Sequence, residues 1–263
     1  MVQMSNYPHG TFCWVELSTT DTEAAKAFYG ALLGWETEDS PVPGGVYTMC
    51  KKDGAFVAAI QSLQDEMQSQ GHPPFWLSYV SVDSVDKSAA QVEELGGTIM
   101  APPFDVMDVG RMAVIQDPSK AALALWEAKA HPGAGIVGEP GALCWNELST
   151  NDVDKAQSFY EQLFGWTSEK EDMGAFVYTV FSTADRQVAG MAPITPGMGP
   201  MPPSWGVSFA VEDADDSAGR IKDLGGNVVM GPMDFPGGRF AVASDPQRAF
   251  FSVVRLNEWP ASA

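Results

Sequence analysis

Two segments of the chain place a tryptophan and a glutamate at the same spacing. Trp14 and Glu16 recur as Trp145 and Glu147, each in a stretch whose residues alternate as they do in a β-strand. Because side chains two positions apart on a strand point to the same face, each ring and its carboxylate lie side by side. An aromatic plane beside a carboxylate suits a cationic or hydrogen-bond-donating aromatic ligand, bound through stacking and charge-assisted hydrogen bonds.

A buried carboxylate at the same place in both segments requires a partner, because burial of an unpaired charge is costly. The candidate partners are Arg111 and Arg239, each six residues before the aspartate of an Asp-Pro pair. Such a pair would either anchor a ligand or be a purely internal ion pair. In the second case the tryptophans would only fill an unused cavity. The sequence leaves both alternatives open.

A further alternative for the glutamates is catalysis. An apolar environment raises the pKa of a carboxyl group. Glu16 or Glu147 would then suit proton abstraction as the general base of a lyase, isomerase or hydroxylase-type enzyme, with or without a divalent metal. The sequence contains no Ser-His-Asp arrangement, phosphate-binding loop or Gly-x-Gly-x-x-Gly motif that would indicate another chemistry.

The elements that must position these residues belong to an internal repeat. The segment from Phe12 to Asp21 returns as Leu143 to Asp152, and the same offset relates Phe28-Tyr29 to Phe159-Tyr160. At slightly smaller offsets, Gly96-Gly97 returns as Gly225-Gly226 and Asp117-Pro118 as Asp245-Pro246. The repeat predicts two tandem modules, at residues 1–130 and 142–263, joined by a Pro/Gly-rich linker at residues 131–141.

Both modules are predicted to have the same order of elements. In the first, alternation predicts strands at residues 12–18, 47–50, 56–60, 75–82, 98–101, 110–116 and 121–128. Helices are expected to start at Thr20, where Glu23 completes a capping box, and at Asp83. The pattern indicates an α+β fold in which each module is a pair of βαβββ units with its helices on one face of the sheet.

The repeated motifs Trp-x-Glu-Leu-Ser-Thr-x-Asp, Phe-Tyr, Gly-Trp, Gly-Gly and Asp-Pro resemble those of the vicinal oxygen chelate superfamily. This group includes glyoxalase I, extradiol dioxygenases, and bleomycin- and fosfomycin-resistance proteins. The resemblance covers residues 11–255 and is greatest to a tandem actinobacterial subgroup labelled glyoxalase-like or hydroxylase. It implies cup-shaped curved sheets with helices outside, and it leaves the activity open because this fold carries many chemistries.

The metal ligands that the resemblance implies are missing from both modules. In metal-binding members, His and carboxylate ligands project from the first, fifth and last strands of a module. The corresponding positions hold Trp14, Leu77 and Ala124 in the first module, and Trp145, Gly206 and Ser252 in the second. The histidines, His9, His72 and His131, lie in or near Pro/Gly-rich stretches and are expected at the surface. We therefore expect neither a bound metal nor a cofactor, since a catalytic metal site needs about three converging ligands.

Other side chains at cup-facing positions differ between the modules. The first module has Tyr79 and Trp126, whereas the second has Ser208, Ser252 and Val254. We therefore expect a first cup filled by aromatic rings and a roomier second cup. Together these features predict a small-molecule binding protein without the usual metal site, which sequesters or tailors a natural product. The predicted ligand is aromatic or cationic.

The charge of the chain limits its partners. With 34 acidic and 15 basic residues, the net charge of −19 argues against binding to nucleic acid or to an anionic membrane. The longest apolar run, Ala121 to Trp126, is too short to span a bilayer. Three cysteines without a Cys-x-x-Cys spacing, and no signal-peptide pattern, indicate a cytoplasmic protein. Because the repeat supplies two modules in one chain, we expect a monomer.

Overall fold

The computed structural model of the chain describes residues 4–42 and 45–257, which form two eight-stranded mixed β-sheets. The first sheet comprises β1 (Thr11–Thr19), β2 (Glu36–Val42), β3 (Gly45–Lys52), β4 (Ala55–Ser62), β5 (Phe75–Ser81), β6 (Thr98–Val106), β7 (Gly110–Gln116) and β8 (Ala122–Ala128). The second comprises β9 (Leu143–Thr150), β10 (Thr167–Asp172), β11 (Val177–Ser182), β12 (Gln187–Pro193), β13 (Ser204–Ala210), β14 (Asn227–Phe235), β15 (Gly238–Ser244) and β16 (Phe250–Leu256). The helices are α1 (Thr22–Leu33), α2 (Asp65–Ser69), α3 (Val85–Val92), α4 (Val153–Phe164) and α5 (Ala214–Asp223), with a short 3₁₀ turn at Pro196–Met198. Among the described residues, no helix is long and apolar enough to cross a membrane.

Each sheet is built from one copy of the repeat, as two βαβββ units side by side. The strand order is β2-β3-β4-β1-β5-β8-β7-β6 in the first sheet and β10-β11-β12-β9-β13-β16-β15-β14 in the second. The antiparallel pairs β1–β5 and β9–β13 join the units at the centre of each sheet. The predicted α+β fold with two tandem modules of paired βαβββ units is confirmed.

The edge strands β2 and β10 were not predicted from the alternation pattern. Their segments, ETEDSPV and TSEKED, are exposed on both faces at nearly every position. No apolar face therefore alternates with a polar one, and the usual sequence signal of a half-buried strand is missing. Charged side chains on such an edge discourage pairing with a strand of another molecule.

Helix α1 begins one residue later than the predicted capping box. Asp21, rather than Thr20, is the N-cap, because its backbone is extended and its side chain accepts a hydrogen bond from Ala24 N at 3.0 Å. The aspartate before α4 caps that helix in the same way. The helix then directs an apolar stripe, including Phe28 and Tyr29, towards the protein interior.

The helix-covered faces of the two sheets pack against each other, so each hydrophobic core contains residues from both modules. In one core, Phe28 of α1 packs against Phe251 of the second sheet. In the other core, residues of β5 and α3 join Phe159 and Tyr160 of α4. The cups are the opposite faces of the two sheets and therefore open away from each other.

The Phe-Tyr and Asp-Pro motifs meet across this module interface. The Tyr29 hydroxyl donates to Asp245 Oδ2 at 3.1 Å and accepts a hydrogen bond from Trp76 Nε1 at 3.2 Å. Its counterpart Tyr160 donates to Asp117 Oδ2, also at 3.1 Å, and accepts from the Nε1 of the tryptophan at position 205. The other oxygen of each aspartate accepts backbone N–H groups of the following turn. Each phenol therefore ties one module to a turn of the other.

The Gly-Gly motif belongs to the same interface. A Cβ atom on Gly97 would come within 2.8 Å of the Phe159 ring, and one on Gly226 within 3.0 Å of the Phe28 ring. Contacts this short leave no room for a side chain. The Phe-Tyr, Gly-Gly and Asp-Pro motifs therefore hold the modules together at their interface.

We expect Y29F and Y160F each to lower the free energy of unfolding by about 1–3 kcal/mol, because each removes a hydroxyl and leaves one oxygen of a buried aspartate and an indole N–H without their partner. Since the cores are shared, each variant should still unfold in one cooperative transition. Urea denaturation followed by circular dichroism measures both quantities. Separate transitions for the two modules would contradict the shared cores.

Candidate functional site

A row of three side chains crosses the centre of each cup. The strand register aligns Trp14 of β1 with Tyr79 of β5 and Ala124 of β8. In the second sheet the corresponding row is Trp145, Ser208 and Ser252. The residues opposite the tryptophans on the fifth strand of each module are therefore Tyr79 and Ser208. Leu77 and Gly206, the positions at which a metal-ligating side chain was expected on the fifth strand, are not in these rows. They lie opposite Glu16 and Glu147.

Aromatic side chains and the linker fill the first cup. Trp14, Tyr79 and Trp126 are each no more than 5% exposed. The ring of His131, from the linker, enters the cup with its centroid 4.6 Å from the Trp14 ring, and its carbonyl accepts a hydrogen bond from Trp126 Nε1 at 3.0 Å. The first cup is thus closed.

The prediction that the histidines lie at the surface is wrong for His131. Its side chain is half-buried, its Nε2 has no hydrogen-bond partner among the described residues, and burial lowers its pKa. The linker folds back over β1 because Gly133, at a φ of +128°, passes the carbonyl of Cys13 where a side chain would not fit. A Pro/Gly-rich composition indicates a turn but not the surface over which the turn passes.

Glu16 is enclosed and fully hydrogen-bonded. It is 6% exposed, and its Oε2 accepts a hydrogen bond from the Tyr47 hydroxyl at 2.7 Å while Oε1 accepts one from Gln61 Nε2. Burial raises the pKa of this carboxyl group, and the hydrogen bonds from Tyr47 and Tyr79 oppose the rise. Neither oxygen is left for a ligand.

Glu147 has the same tyrosine partner in an open cup. The Tyr178 hydroxyl donates to Glu147 Oε2 at 2.8 Å and accepts a hydrogen bond from Trp145 Nε1 at 3.1 Å. No donor among the described residues reaches the other oxygen, Oε1. Trp145 and Glu147 are only partly buried, and Gly206 beside them is exposed. Burial raises the pKa of Glu147, and the hydrogen bond from Tyr178 opposes the rise.

A glycine makes this arrangement possible. Gly190 of β12 lies beside Glu147 in the sheet. A Cβ atom at this position would come within 1.7 Å of the Tyr178 hydroxyl oxygen and 3.0 Å of Trp145 Nε1. The missing side chain lets the phenol lie across the strand and bridge the indole and the carboxylate.

Arg111 and Arg239 are not the partners of the glutamates, and this prediction is wrong. Arg111 Nε contacts Asp86 Oδ2 of α3 at 2.8 Å, and Arg239 Nε contacts Asp215 Oδ2 of α5 at 2.6 Å. In the sheet, Met112 pairs with Trp126 on the cup face. Arg111 is one residue earlier and so points to the helix face, as does Arg239 in the second module. Neither arginine belongs to a cup.

The tyrosines that bind the glutamates were missed, although the repeat contains the signal. Tyr47 returns as Tyr178 at the same offset that relates Glu16 to Glu147. Comparing all positions of the two copies, and not only the motifs next to the tryptophans, would have identified both phenols. Gln61 has no such signal because Ala192 stands at its counterpart position.

The rest of the second cup is apolar and open. The register places Met230 opposite Val242, in line with Ser252, and Met233 opposite Phe240. These methionines are 38% and 40% exposed. Methionine side chains adapt to ligands of different shape. The second cup therefore combines one carboxylate oxygen, an indole face and a flexible apolar wall.

Comparison with known proteins gives a family match over both modules. The sequence profile of the glyoxalase/bleomycin resistance protein/dioxygenase superfamily matches residues 11–125 and 142–252. A Mycobacterium tuberculosis protein named "Putative glyoxylase CFP32" is 46% identical over 260 residues, covering 97% of this chain and 98% of that protein. "Anthracycline biosynthesis protein DnrV" of Streptomyces peucetius is 36% identical over 273 residues, covering 99% and 98%.

Solved structures share the fold at low sequence identity. The Mn(II)-bound glyoxalase from Novosphingobium aromaticivorans has a TM-score of 0.67 and 19% identity, over 95% of this chain and 83% of that one. The 2,3-dioxygenase LapB from Pseudomonas sp. KL28 also has a TM-score of 0.67, with 17% identity, over 95% and 93%. At this identity the likeness concerns the fold alone.

A metal centre does not fit the residues of either cup. The central rows hold tryptophan, tyrosine and alanine in the first module, and tryptophan and two serines in the second. Across residues 4–42 and 45–257, no group of three or more His, Cys, Asp or Glu side chains is placed to hold a metal ion. Each cup contains a glutamate, and the first also contains the His131 ring, but among the described residues neither has the three or so converging ligands that a catalytic transition metal requires.

The raised pKa of Glu16 predicts a pH-dependent stability. A carboxyl group with a higher pKa in the folded than in the unfolded protein binds more protons when folded, so folding is favoured as the pH falls towards the ordinary value of 4.5. We expect the free energy of unfolding of the wild type, relative to E16Q, to rise as the pH is lowered from about 7 to about 5. Urea titrations at both pH values measure this difference, and an unchanged difference would contradict the raised pKa.

Proposed function

Because the chain belongs to the glyoxalase/bleomycin resistance protein/dioxygenase superfamily, we propose that it is a metal-independent small-molecule binding protein whose ligand site is the second cup. The observation that carries this proposal is the contrast between the two glutamates. Glu16 is closed in by donors on both oxygens, whereas Glu147 keeps one oxygen free in a partly open cup.

The first module serves as an internal control for the second. Both cups have the Trp-x-Glu pair and the tyrosine partner, so the fold by itself does not require an open site at Glu147. The free oxygen of Glu147 lies in an open cup, where it is accessible as an acceptor. A ligand that donates a hydrogen bond or carries a positive charge can pair with this oxygen, which supports a binding role over a structural one.

The lining of the second cup supports an aromatic ligand with a donor group at one end. Its ring would stack on Trp145 and its amino or hydroxyl group would donate to Glu147 Oε1. The apolar wall around Phe240 and Met230 would cover the remaining ring surface. The Streptomyces relatives, named as anthracycline biosynthesis proteins, support a natural product as the ligand, which this protein would sequester or tailor.

A second candidate function is general-base catalysis by Glu147. The observations that favour it are the raised pKa and the free oxygen, since a carboxylate with an elevated pKa in an apolar cup suits proton abstraction. Glu16 does not offer the same chemistry because both of its oxygens are occupied. Mass spectrometry of the ligand after incubation distinguishes the two functions: a product indicates catalysis, and an unchanged ligand indicates sequestration.

We expect E147Q to weaken binding of 9-aminoacridine, a cationic fused-ring probe, by about 1.5–3 kcal/mol, the usual scale for a hydrogen bond to a charged group. E16Q is the matched control and should leave the affinity unchanged. Acridine, the neutral analogue, should lose less affinity in E147Q. Fluorescence titration measures these affinities, and elemental analysis of the same protein should give less than one transition metal per chain.

Two results would contradict the proposed site. One is an E147Q variant with wild-type affinity and a markedly lower melting temperature, which would assign Glu147 a structural role. The other is an affinity that a chelator abolishes and added metal restores, which would make the binding metal-dependent.

A further inference from the structure

Two serine hydroxyls lie side by side at the centre of the second cup. Ser208 of β13 and Ser252 of β16 are register partners on neighbouring parallel strands, in the row that begins at Trp145. Neighbouring strands are about 4.8 Å apart, and paired side chains point to the same face of the sheet. Both hydroxyls are therefore within reach of a single small group in the cup.

Neither hydroxyl is used by the protein itself. Ser208 is buried and Ser252 is half-buried, and neither hydroxyl has a hydrogen-bond partner within residues 4–42 and 45–257. The first cup differs at both positions. Tyr79, the counterpart of Ser208, donates to Glu16, and the counterpart of Ser252 is an alanine. The pair of unused hydroxyls is therefore a feature of the second cup alone.

Apolar side chains surround the two serines. Ser252 pairs with Val242 of β15, and Met230 of β14 lies beyond it in the same row. Val254, two residues after Ser252 on the same face, is 7% exposed. Hydrogen bonds are stronger in an apolar environment than in water. A ligand group that pairs with the serines is therefore distinguished from one that cannot.

The Trp145 ring leaves the space above the serines free. Its Nε1 donates to the Tyr178 hydroxyl and lies 3.0 Å from the position of a Cβ atom on Gly190 of β12. Strand β9 lies between β12 and β13, so the indole leans away from the serines. Glu147 is two residues further along β9, which places its row about 7 Å from the serine row. A ring system with its donor group at Glu147 can therefore reach the serines with its other end.

A carbonyl oxygen is the group that best fits this pair of hydroxyls. Each serine has one O–H to donate, and a carbonyl oxygen has two lone pairs, so it accepts from both. An amino or hydroxyl group of the ligand would instead pair with Glu147, because a carboxylate is a stronger acceptor than a hydroxyl. The cup thus offers an acceptor for one end of a ligand and two donors for the other.

We propose that Ser208 and Ser252 form a carbonyl-binding subsite, in which both hydroxyls donate to one ketone or quinone oxygen of the ligand. The amino or hydroxyl group at the opposite end of the ligand donates to Glu147. This inference rests on the proposed function, because it concerns the same cup. It narrows the ligand class to aromatic ketones and quinones that carry a donor group.

A matched pair of probes tests the subsite. 3-Amino-9-fluorenone and 3-aminofluorene are rigid, planar amines that differ only in a carbonyl in place of a methylene. We expect the wild type to bind the ketone about tenfold more tightly, the scale of one or two neutral hydrogen bonds. S208A and S252A should each weaken ketone binding about fivefold and leave the affinity for 3-aminofluorene unchanged. Quenching of tryptophan fluorescence measures all of these affinities.

A third serine of the same cup is the matched control. Ser204 is on the same strand and face as Ser208, but it pairs with Ser149, on the far side of Glu147 from the Trp145 row. S204A should therefore leave both affinities unchanged. The melting temperature of each variant checks that it is folded.

Infrared spectroscopy of the bound ketone gives a second readout. Hydrogen bonds to a carbonyl oxygen weaken the C=O bond and lower its stretching frequency. We expect a lower frequency for 3-amino-9-fluorenone bound to the wild type than for the same probe bound to the S208A/S252A double variant. Serines that only leave space would change neither the frequency nor the preference for the ketone.

The outcomes separate this inference from the proposed function. A preference for the ketone that is absent in the wild type, or that survives the double variant, would overturn the carbonyl subsite. If E147Q still weakens binding of both probes in that case, the proposed ligand site is retained. If neither probe binds the wild type, both proposals are wrong. A preference that the serine variants remove and E147Q does not alter would support the subsite and contradict the role of Glu147.

Discussion

A buried phenol that donates to a carboxylate of the other module is the interaction on which the architecture depends. Tyr29 and Asp245 form one such contact, and Tyr160 and Asp117 form the other. Each aspartate also holds the backbone of its own turn, so the contact joins a helix of one module to a turn of the other. Burial raises the pKa of both phenols well above the usual value, which keeps them protonated as donors. Around these contacts the two cores are continuous across the modules.

Because the helix-covered faces of the two sheets pack against each other, both cups lie on the outside of the molecule. The residues that line the two cups differ. Each retains a tryptophan, a glutamate and a tyrosine in the same relation. In the first cup, Gln61 and the incoming linker close the site. In the second, the smaller residues Gly206, Ser208 and Ser252 keep it open. The difference between a filled and an accessible cup therefore arises from neighbouring side chains, while the central pair is unchanged.

The fold could be predicted from the sequence because its determinants are repeated motifs with fixed physical roles. The Phe-Tyr, Gly-Gly and Asp-Pro pairs occur twice, and the alternation that places Trp14 beside Glu16 depends only on local strand geometry. The partners of the glutamates could not be predicted in the same way. Arg111 was assigned by distance along the chain, and a count that is wrong by one residue moves a side chain to the other face of the sheet.

Contacts that depend on the path of a loop were also beyond a sequence argument. The entry of His131 into the first cup requires the course of the whole linker, which a Pro/Gly-rich composition does not specify. The edge strands lacked a signal for a different reason, since neither of their faces is buried. The strand register, the path of the linker and the exposure of both faces of an edge strand are all set by the assembled sheet. They cannot be read from a local stretch of sequence.

The shared cores indicate that the chain arose from a unit that paired with a second copy of itself. A single ancestral unit would have exposed the apolar helix face that the second module now covers, so it would have been stable only as a symmetric pair of identical subunits. Fusing the two copies into one polypeptide preserved that pairing while freeing each half to change separately. In a homodimer, any substitution that closes one cup closes both. After fusion, one cup could be filled while the other stayed open.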